Sequence, residues 1–408
     1  MASDLAAADA VLKIGYGDIH EQLDDFVVAL KGVESGAKHV NSTNYRAEFA
    51  IRTGRSYGIG ARNEMDNLPA AGQHQNERAG FFLKYHYGTI QATAQVFEQV
   101  RTNTAAFINW VDTEMKDIKS TLQRDLNRQV YGDSTGTLAL VATAATAATT
   151  IVVDSVHWLE EGMYIDVLTA ATLTNPVPTS ALVSGTIATI TNIDETTNTI
   201  TITGATVTAA VGSAIVLGSY VDATRTNNWN KEWIGLANIV DDTSELHEID
   251  PATVPVWKPG YIEASVGTLA ELDLTHVAQA IARKGTKVTD FLTTYGVANA
   301  YWNTLQGLRR FDGGTNLQGG AAMPIFQGAT GPVPFTLDWA CPPGTLYALN
   351  KQEMFLHQIQ DWKWEDRTGS MWQQVPNKHA FKAFMYKFSN LGVFRRNAFG
   401  KLTGITEL

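Results

Sequence analysis

The chain has 408 residues, more than one hydrophobic core usually holds, so two or three domains, or one core with long excursions, are expected. Its 44% hydrophobic and 18% charged residues are those of a folded protein, and its formal net charge of −10 argues against a surface built to neutralise phosphates. A single cysteine, Cys341, excludes an intrachain disulfide framework and a cysteine-clustered zinc site.

The N-terminus, MASDLAAADAVLKIGYGDIHEQLDDF, has no basic start followed by an apolar run and a cleavage site. No secretory signal is expected, and the chain is expected to stay in the cytoplasm where it is made. The longest charge-poor run, residues 134–153, is laced with Thr and Ala, too polar to predict a membrane span.

From Tyr45 to Val100 the sequence alternates in the manner of an extended ribbon. One arm runs out through NYRAEFAIRTGRSYGIGARNEMDNLP, and the other returns through ERAGFFLKYHYGTIQATAQVFEQV, with a polar turn between them. Within the outgoing arm, GRSYGIG contains G-x-S-x-G, the pattern that presents a nucleophilic serine in hydrolases. Ser56 lacks the context for that role, because the strand before it carries Arg46, Glu48, Arg52 and Arg55 and no apolar helical face follows. The glycines are expected to let the ribbon bend.

Thr104 to Tyr131 reads as one long helix, with Phe107, Val111, Met115, Ile118, Leu122, Leu126 and Val130 on one face. Asn103 or Thr104 is expected to cap its start, and Gly132 to end it in the left-handed conformation. Residues 129–224 contain no Lys or Arg but include Asp133, Asp154, Glu160, Glu161, Asp166, Asp194, Glu195 and Asp222. The same stretch reads as short strands (TTIVVD, GMYIDVL, GTIATITNI, TNTITITG, SAIVLGSY), so residues 137–226 are expected to form an acidic inserted β-barrel or sandwich.

Beyond it, ELDLTHVAQAIARKG predicts a helix capped by Asp273 and stopped at Gly285. TDFLTTYG, AMPIF, VPFTLDW and GTLYALN read as strands, VANAYWNTLQGLRRF as a second helix, and the end of the chain as a strand returning to the first part. The nine histidines show no H-x-H or H-E-x-x-H spacing, there is no P-loop, and acidic pairs fall in turns. No catalytic residue, cofactor site or metal site is expected. What remains is an arginine-bearing ribbon and a strut-like helix, both suited to contact with copies of the same chain.

In this order of parts the sequence resembles the major capsid proteins of tailed bacteriophages, the Hong Kong ninety-seven fold. The resemblance is carried by FFLKYHYGTIQATAQVFEQVRTNTAAFINWVDTEMKDIKSTLQRDLNRQVYGD, by VPFTLDWACPPGTLYALNKQEMFLH and by YKFSNLGVFRRNAFGKLTGI. It implies an α+β architecture: an N-terminal arm (1–36), an extended loop (37–84), a peripheral domain with a spine helix (85–136), the inserted all-β domain (137–226), an axial α/β domain (227–366) and a C-terminal strand returning to the peripheral domain (367–408). It also implies a virion protein, assembled in the host cytoplasm from hexamers and pentamers into an icosahedral shell that encloses double-stranded DNA without sequence-specific binding. Scaffolding, portal and cement proteins are the implied partners.

On this reading Arg46, Arg52, Arg55 and Arg62 form bonds to carboxylates of a neighbouring subunit, and Gly54, Gly58 and Gly60 act as hinges, with Gly313, Gly314, Gly319 and Gly320 adapting an axial loop. Some members of the family weld subunits through a lysine of the extended loop. Here the loop carries none between Tyr45 and Gly80, only Lys38 and Lys84 at its roots, so noncovalent closure is expected. Three other readings stay open: an encapsulin-like nanocompartment shell, a serine hydrolase using Ser56, and a monomeric carbohydrate-binding module.

Overall fold

The C-terminal strand Ala380–Val393 is the centre of the first sheet. On one side it pairs antiparallel with Lys84–Thr93 in ten consecutive steps, from Ala380↔Thr93 to Ser389↔Lys84. On the other it pairs with Met354–Trp364 and with Gln373–Gln374, and Glu34–Ser35 adds in parallel beside Met354–Trp364. Ten of the strand's residues are buried, and the core beneath contains Ala383, Met385, Leu391 and Val393. The computed structural model describes residues 34–35, 41–43, 46–56, 58–95, 104–174, 178–183, 188–221, 224–306, 325–328, 331–366 and 369–408.

The helix Thr104–Tyr131 lies on this sheet. Leu126 and Val130 are buried and Ile118 and Leu122 pack against the same core, as the spacing predicts; Phe107, Val111, Met115 and the expected caps lie outside the described side chains. Gly88 makes the contact close, because a Cβ there would stand 2.9 Å from Leu122 Cδ1 and 3.0 Å from Ile118 Cγ2.

The helix ends differently from the sequence expectation. Gly132 is not left-handed; the first left-handed residue is Ser134, at φ 76°. Gly132 N–H instead donates to Gln129 O at 3.1 Å, and the carbonyls of Gln129 and Gly132 are covered by the backbone of Gly235. A Cβ at Gly235 would lie 2.3 Å from Gly132 O and 2.5 Å from Gln129 O. Only glycine permits this approach, which seats the single helical turn Leu236–Ile239 beside the long helix.

Residues 137–227 hold two sheets around one core. The larger runs Thr224–Asn227, Ala214–Val221, Tyr164–Leu168, Ala188–Asp194, Thr199–Thr203, Thr150–Val152, with Thr137–Leu140 also beside Ala214–Val221; the smaller is Leu182–Val183, Thr206–Ala209, Ala145–Ala148. Ile151, Ile165, Ile190, Ile200 and Ile202 of the larger sheet meet Ala145, Leu182, Val207 and Ala209 of the smaller. Alternation is visible in TITIT, where Ile200 and Ile202 point inward and the threonines outward. Contacts that tie this β unit to the rest include an Arg124–Glu160 ion pair and Trp158 Nε1 donating to Ala340 O at 2.9 Å.

A six-stranded mixed sheet runs Tyr261–Glu263, Gly400–Leu402, Leu346–Leu349, Asp290–Thr293, Gly331–Leu337, Ile325–Gly328. Glu271–Arg283 packs Leu274, Val277, Ala278 and Ile281 into the core beside it. That helix starts three residues earlier than a cap at Asp273 would place it: Ala270 is the N-cap, and Asp273, at the third helical position, accepts from Ala270 N–H at 2.9 Å. Gly285 is left-handed, as a stop requires. The reading of 367–408 as one strand belonging to the first sheet meets a difference here. Gly400–Leu402 crosses to this second sheet, because the turn Arg396–Ala398 redirects the chain around the buried Arg396 guanidinium, which donates to the carbonyls of Asn238, Ile239 and Ser244 at 2.9 Å each.

Gly235→Ala is expected to lower stability by about 1–3 kcal/mol, the usual cost of overpacking a tight site. Urea unfolding of the soluble subunit measures it: the midpoint falls, and an unchanged midpoint contradicts the close-approach account.

Candidate assembly surface

The ribbon begins as a regular ladder. Arg46–Arg52 pairs antiparallel with Asn76–Phe82 from Arg46↔Phe82 to Arg52↔Asn76, and Asn41–Thr43 adds at the outer side of the first arm. Alternation places Ala47, Phe49, Ala79 and Phe81 in the core of the molecule. Phe49 meets Phe355 at 5.7 Å and Phe394 at 5.5 Å, both edge-on, and Phe81 meets the His247 ring at 4.7 Å. Such aromatic contacts contribute roughly 0.5–1.5 kcal/mol each beyond area burial.

His247 and Glu248 are both left-handed, at φ 55° and 63°. This turn aims His247 O at Gly80 N–H, 3.0 Å away, and lets the imidazole Nε2 accept from Val393 N–H at 3.2 Å. Next to it, Glu248 forms an ion pair with Arg46, whose guanidinium also stands 5.4 Å over the Phe82 ring. The ribbon is therefore anchored at its root by three separate parts of the chain.

The four arginines are not brought together. Arg46 is engaged at the root by Glu248 and Glu48. Arg52 donates from Nε to Gly54 O at 3.3 Å and is exposed. Arg62 holds the tip turn, donating to Asn67 O at 2.9 Å and Ala61 O at 3.0 Å. Arg55 is exposed and makes no ion pair with the described residues.

None of Gly54, Gly58 and Gly60 is left-handed. Gly54 and Gly58 have a reason for lacking a side chain in close approach between the arms: a Cβ on Gly58 would stand 2.7 Å from Gly72 N. Gly60 meets only the far end of Arg62. Ser56 serves the same junction, its hydroxyl donating to Gly72 O at 3.2 Å and accepting from Gly58 N–H at 3.4 Å. It stands in an open loop, not in a strand-to-helix elbow. Gly313, Gly314, Gly319, Gly320 and Lys38 lie outside the described residues. Lys84 is committed to Asn230 O at 2.6 Å, and burial pushes its ammonium below the ordinary pKa.

Sequence reasoning missed the apolar character of the tip. Ile59, Met65 and Leu68 are 60%, 99% and 86% exposed, all three in the outgoing arm, where the sequence reads as an extended ribbon and gives no sign of an uncovered apolar end. It also missed the buried ionic group at the end of the long helix, where Arg128 bonds Asp125 at 2.7 Å and Glu232 at 2.6 Å, and Gln129 links Asp125 to His86. The Asp125–Arg128 half is visible in the i, i+3 spacing; Glu232 arrives from 104 residues away. Cys341 is buried, and burial raises its thiol well above the ordinary value. Among the described residues no group of three or more His, Cys, Asp or Glu could hold a metal ion, and no helix is long and apolar enough to cross a membrane.

Over 93% of both chains, the structure superposes on a chain of the cyanophage A-1(L) capsid asymmetric unit with a TM-score of 0.56 at 12% sequence identity. The fold is that of a phage capsid protein. Lower TM-scores accompany the capsid of a native GTA particle (0.48, 10% identity, 92% and 90% of the two chains) and the holo-SrpI encapsulin complex from Synechococcus elongatus PCC 7942 (0.42, 8%, 93% and 88%). No protein-family model matches the sequence, and no curated protein matches it. In this fold the ribbon, the long helix and the first sheet share one core, and Ile59, Met65 and Leu68 at the tip are among the large apolar side chains left exposed.

Burial, reinforced by the charge of Arg396, depresses the His247 pKa from its ordinary 6.5 to about 3. The folded value lies below the unfolded one, so the unfolded chain takes up the proton first: stability is full above about pH 6.5 and falls by about 1.4 kcal/mol per unit towards pH 3. His247→Leu is expected to remove about one proton from the pH dependence of unfolding between pH 6.5 and 5. Denaturant midpoints across that range measure it, and an unaltered slope contradicts the assignment.

Proposed function

We propose that this chain is a major capsid protein of a tailed double-stranded DNA bacteriophage, self-assembling through hexamers and pentamers into an icosahedral shell. The observation that carries the reading is the ribbon: firmly seated at its root in the core, and ending in three exposed apolar side chains with no cover among the described residues. A monomer gains nothing from such an arm. A shell gains a contact over a neighbouring copy, and obligate interfaces of this kind bury on the order of 2,000–5,000 Å². At ~25 cal/mol per Å² of apolar area, many modest contacts suffice after the costs of association.

The proposed division of labour follows the fold's parts. The first sheet with the long helix is the peripheral domain, the six-stranded sheet with its helices the axial domain, and residues 137–226 an inserted β domain. Arg52 and Arg55, which point outward, are the ribbon arginines best placed to meet carboxylates of a neighbour; Arg46 and Arg62 support the arm from within. Scaffolding, portal and cement proteins, a virion location and a double-stranded DNA cargo belong to the same proposal. Closure is noncovalent.

Expression of the chain with its assembly partners, viewed by negative-stain microscopy, is expected to yield closed shells; a monodisperse monomer at high concentration would sink the proposal. Gly60→Val is expected to reduce particle yield while leaving the thermal unfolding of the free subunit unchanged, since a side chain there meets only the movable end of Arg62. Normal yield would show that Gly60 is no hinge.

A further inference from the structure

The ladder between Met354–Trp364 and Ala380–Val393 is not regular throughout. It runs one to one from Met354↔Val393 to Gln358↔Ser389, then steps to Gln360↔Phe388 and again to Lys363↔Tyr386. At the second step Asp361 and Trp362 of one strand stand against the single residue Lys387 of the other, which is the two-against-one count of a β-bulge. Bulges re-aim side chains, and here both extra residues are turned onto the same lysine.

Lys387 Nζ lies 3.2 Å from Asp361 Oδ1 and 5.8 Å from the centre of the Trp362 ring. The Lys387 and Asp361 side chains are 3% and 16% exposed, and Trp362 is buried beside them. Lysine is seldom buried so deeply, because an ion pair taken out of water recovers its lost hydration only in part. An amide in the same place replaces both charges with one neutral group. Partners held in place react from separations of about 3–3.5 Å, and the carboxyl carbon of Asp361 is one bond beyond its oxygen.

A proton carrier stands on the same face. His86 is directly opposite Lys387 in the ladder with Lys84–Thr93, and opposed residues share a face. Burial lowers the His86 pKa and holds the ring neutral at neutral pH. Gln129 decides which nitrogen carries the hydrogen. Its Nε2 donates to Asp125 Oδ2 at 2.7 Å and its Oε1 accepts from Trp233 N–H at 3.2 Å, so the atom 2.8 Å from His86 Nε2 is an oxygen. Nε2 is therefore protonated. Nδ1, buried and without a hydrogen-bond partner among the described residues, presents a lone pair.

We propose that Lys387 and Asp361 condense to an isopeptide bond inside the folded chain, with His86 as the proton carrier. One ammonium proton passes to the carboxylate across their contact, and the amine nitrogen attacks Asp361 Cγ. His86 Nδ1 takes a second proton from that nitrogen and delivers it to the departing hydroxyl. The N–C bond forms, the C–O bond breaks, water leaves, and nothing is oxidised or reduced. The product ties two strands of one chain across the bulge, where the ladder is interrupted. It leaves contacts between copies noncovalent, and it does not rest on the shell reading.

Mass spectrometry of the whole denatured chain tests the bond. The expected mass lies one water below that of its residues, and trypsin is expected to release a branched product, residues 352–363 joined to residues 383–395 with Lys387 uncleaved. Lys387→Met is expected to show the full mass of its own sequence. His86→Gln keeps the pair but removes the base, and is expected to fold and lose the branched product. A wild-type chain of full mass, or a deficit of one water that maps elsewhere, overturns the inference whether or not the variants fold. A branched product at wild-type yield in His86→Gln overturns the proton path.

Discussion

The seating of Phe49 and Phe81 among Phe355, Phe394 and His247 is the interaction on which the rest depends. It takes two side chains from opposite arms of the ribbon and buries them where the first sheet, the C-terminal strand and the turn at His247 meet. Burying a phenylalanine stabilises by roughly 1.5–3 kcal/mol, so the pair holds a two-stranded ribbon that would be marginal alone. With the root fixed, the ribbon projects as an arm whose direction is set by the body, and its ladder ends at the pair Arg52↔Asn76. An imidazole serves at this junction because its neutral ring packs as an aromatic while its nitrogen accepts the Val393 N–H.

The same logic of distant parts meeting recurs elsewhere. The strand Ala380–Val393 pairs with Lys84–Thr93, nearly the whole length of the chain apart, so the first sheet closes only when the C-terminus returns. Arg396 is wholly buried and spends its donors on three carbonyls of the segment 238–244. Each of these contacts joins parts far apart in sequence, and the β unit is held to the body through Trp158 and Glu160.

Much of this is legible in the residues. The long helix announces itself through Ile118, Leu122, Leu126 and Val130, and the β unit through alternating Ile and Thr, because burial on one face imposes the period of the element. The outgoing arm is readable for the same reason, since Ala47 and Phe49 alternate with Arg46 and Glu48, whereas in the returning arm Ala79 and Phe81 stand beside Gly80 and the exposed Phe82. What is not legible is set by partners far along the chain. Nothing in Arg46 points to Glu248, and nothing in Gly235 points to the carbonyls of Gln129 and Gly132, so the arginine reads as free and the helix end as ordinary. Asp273 reads as a cap because Asp commonly occupies that place; Ala270 takes it, and the carboxylate reaches back from one turn in. At the tip, Ile59, Met65 and Leu68 are hidden by polar neighbours, and only the three-dimensional view shows three apolar groups facing water.

Hydrogen exchange of the free subunit compared with assembled shells tests most directly whether the arm is rigid at its root and completed by a neighbour at its tip. The account predicts slow amides in Arg46–Arg52 and Asn76–Phe82 in both states, and amides of residues 58–75 that exchange fast in the free subunit and slowly in shells. A root that exchanges as fast as the tip before assembly, or a tip that stays unprotected after it, would contradict the account.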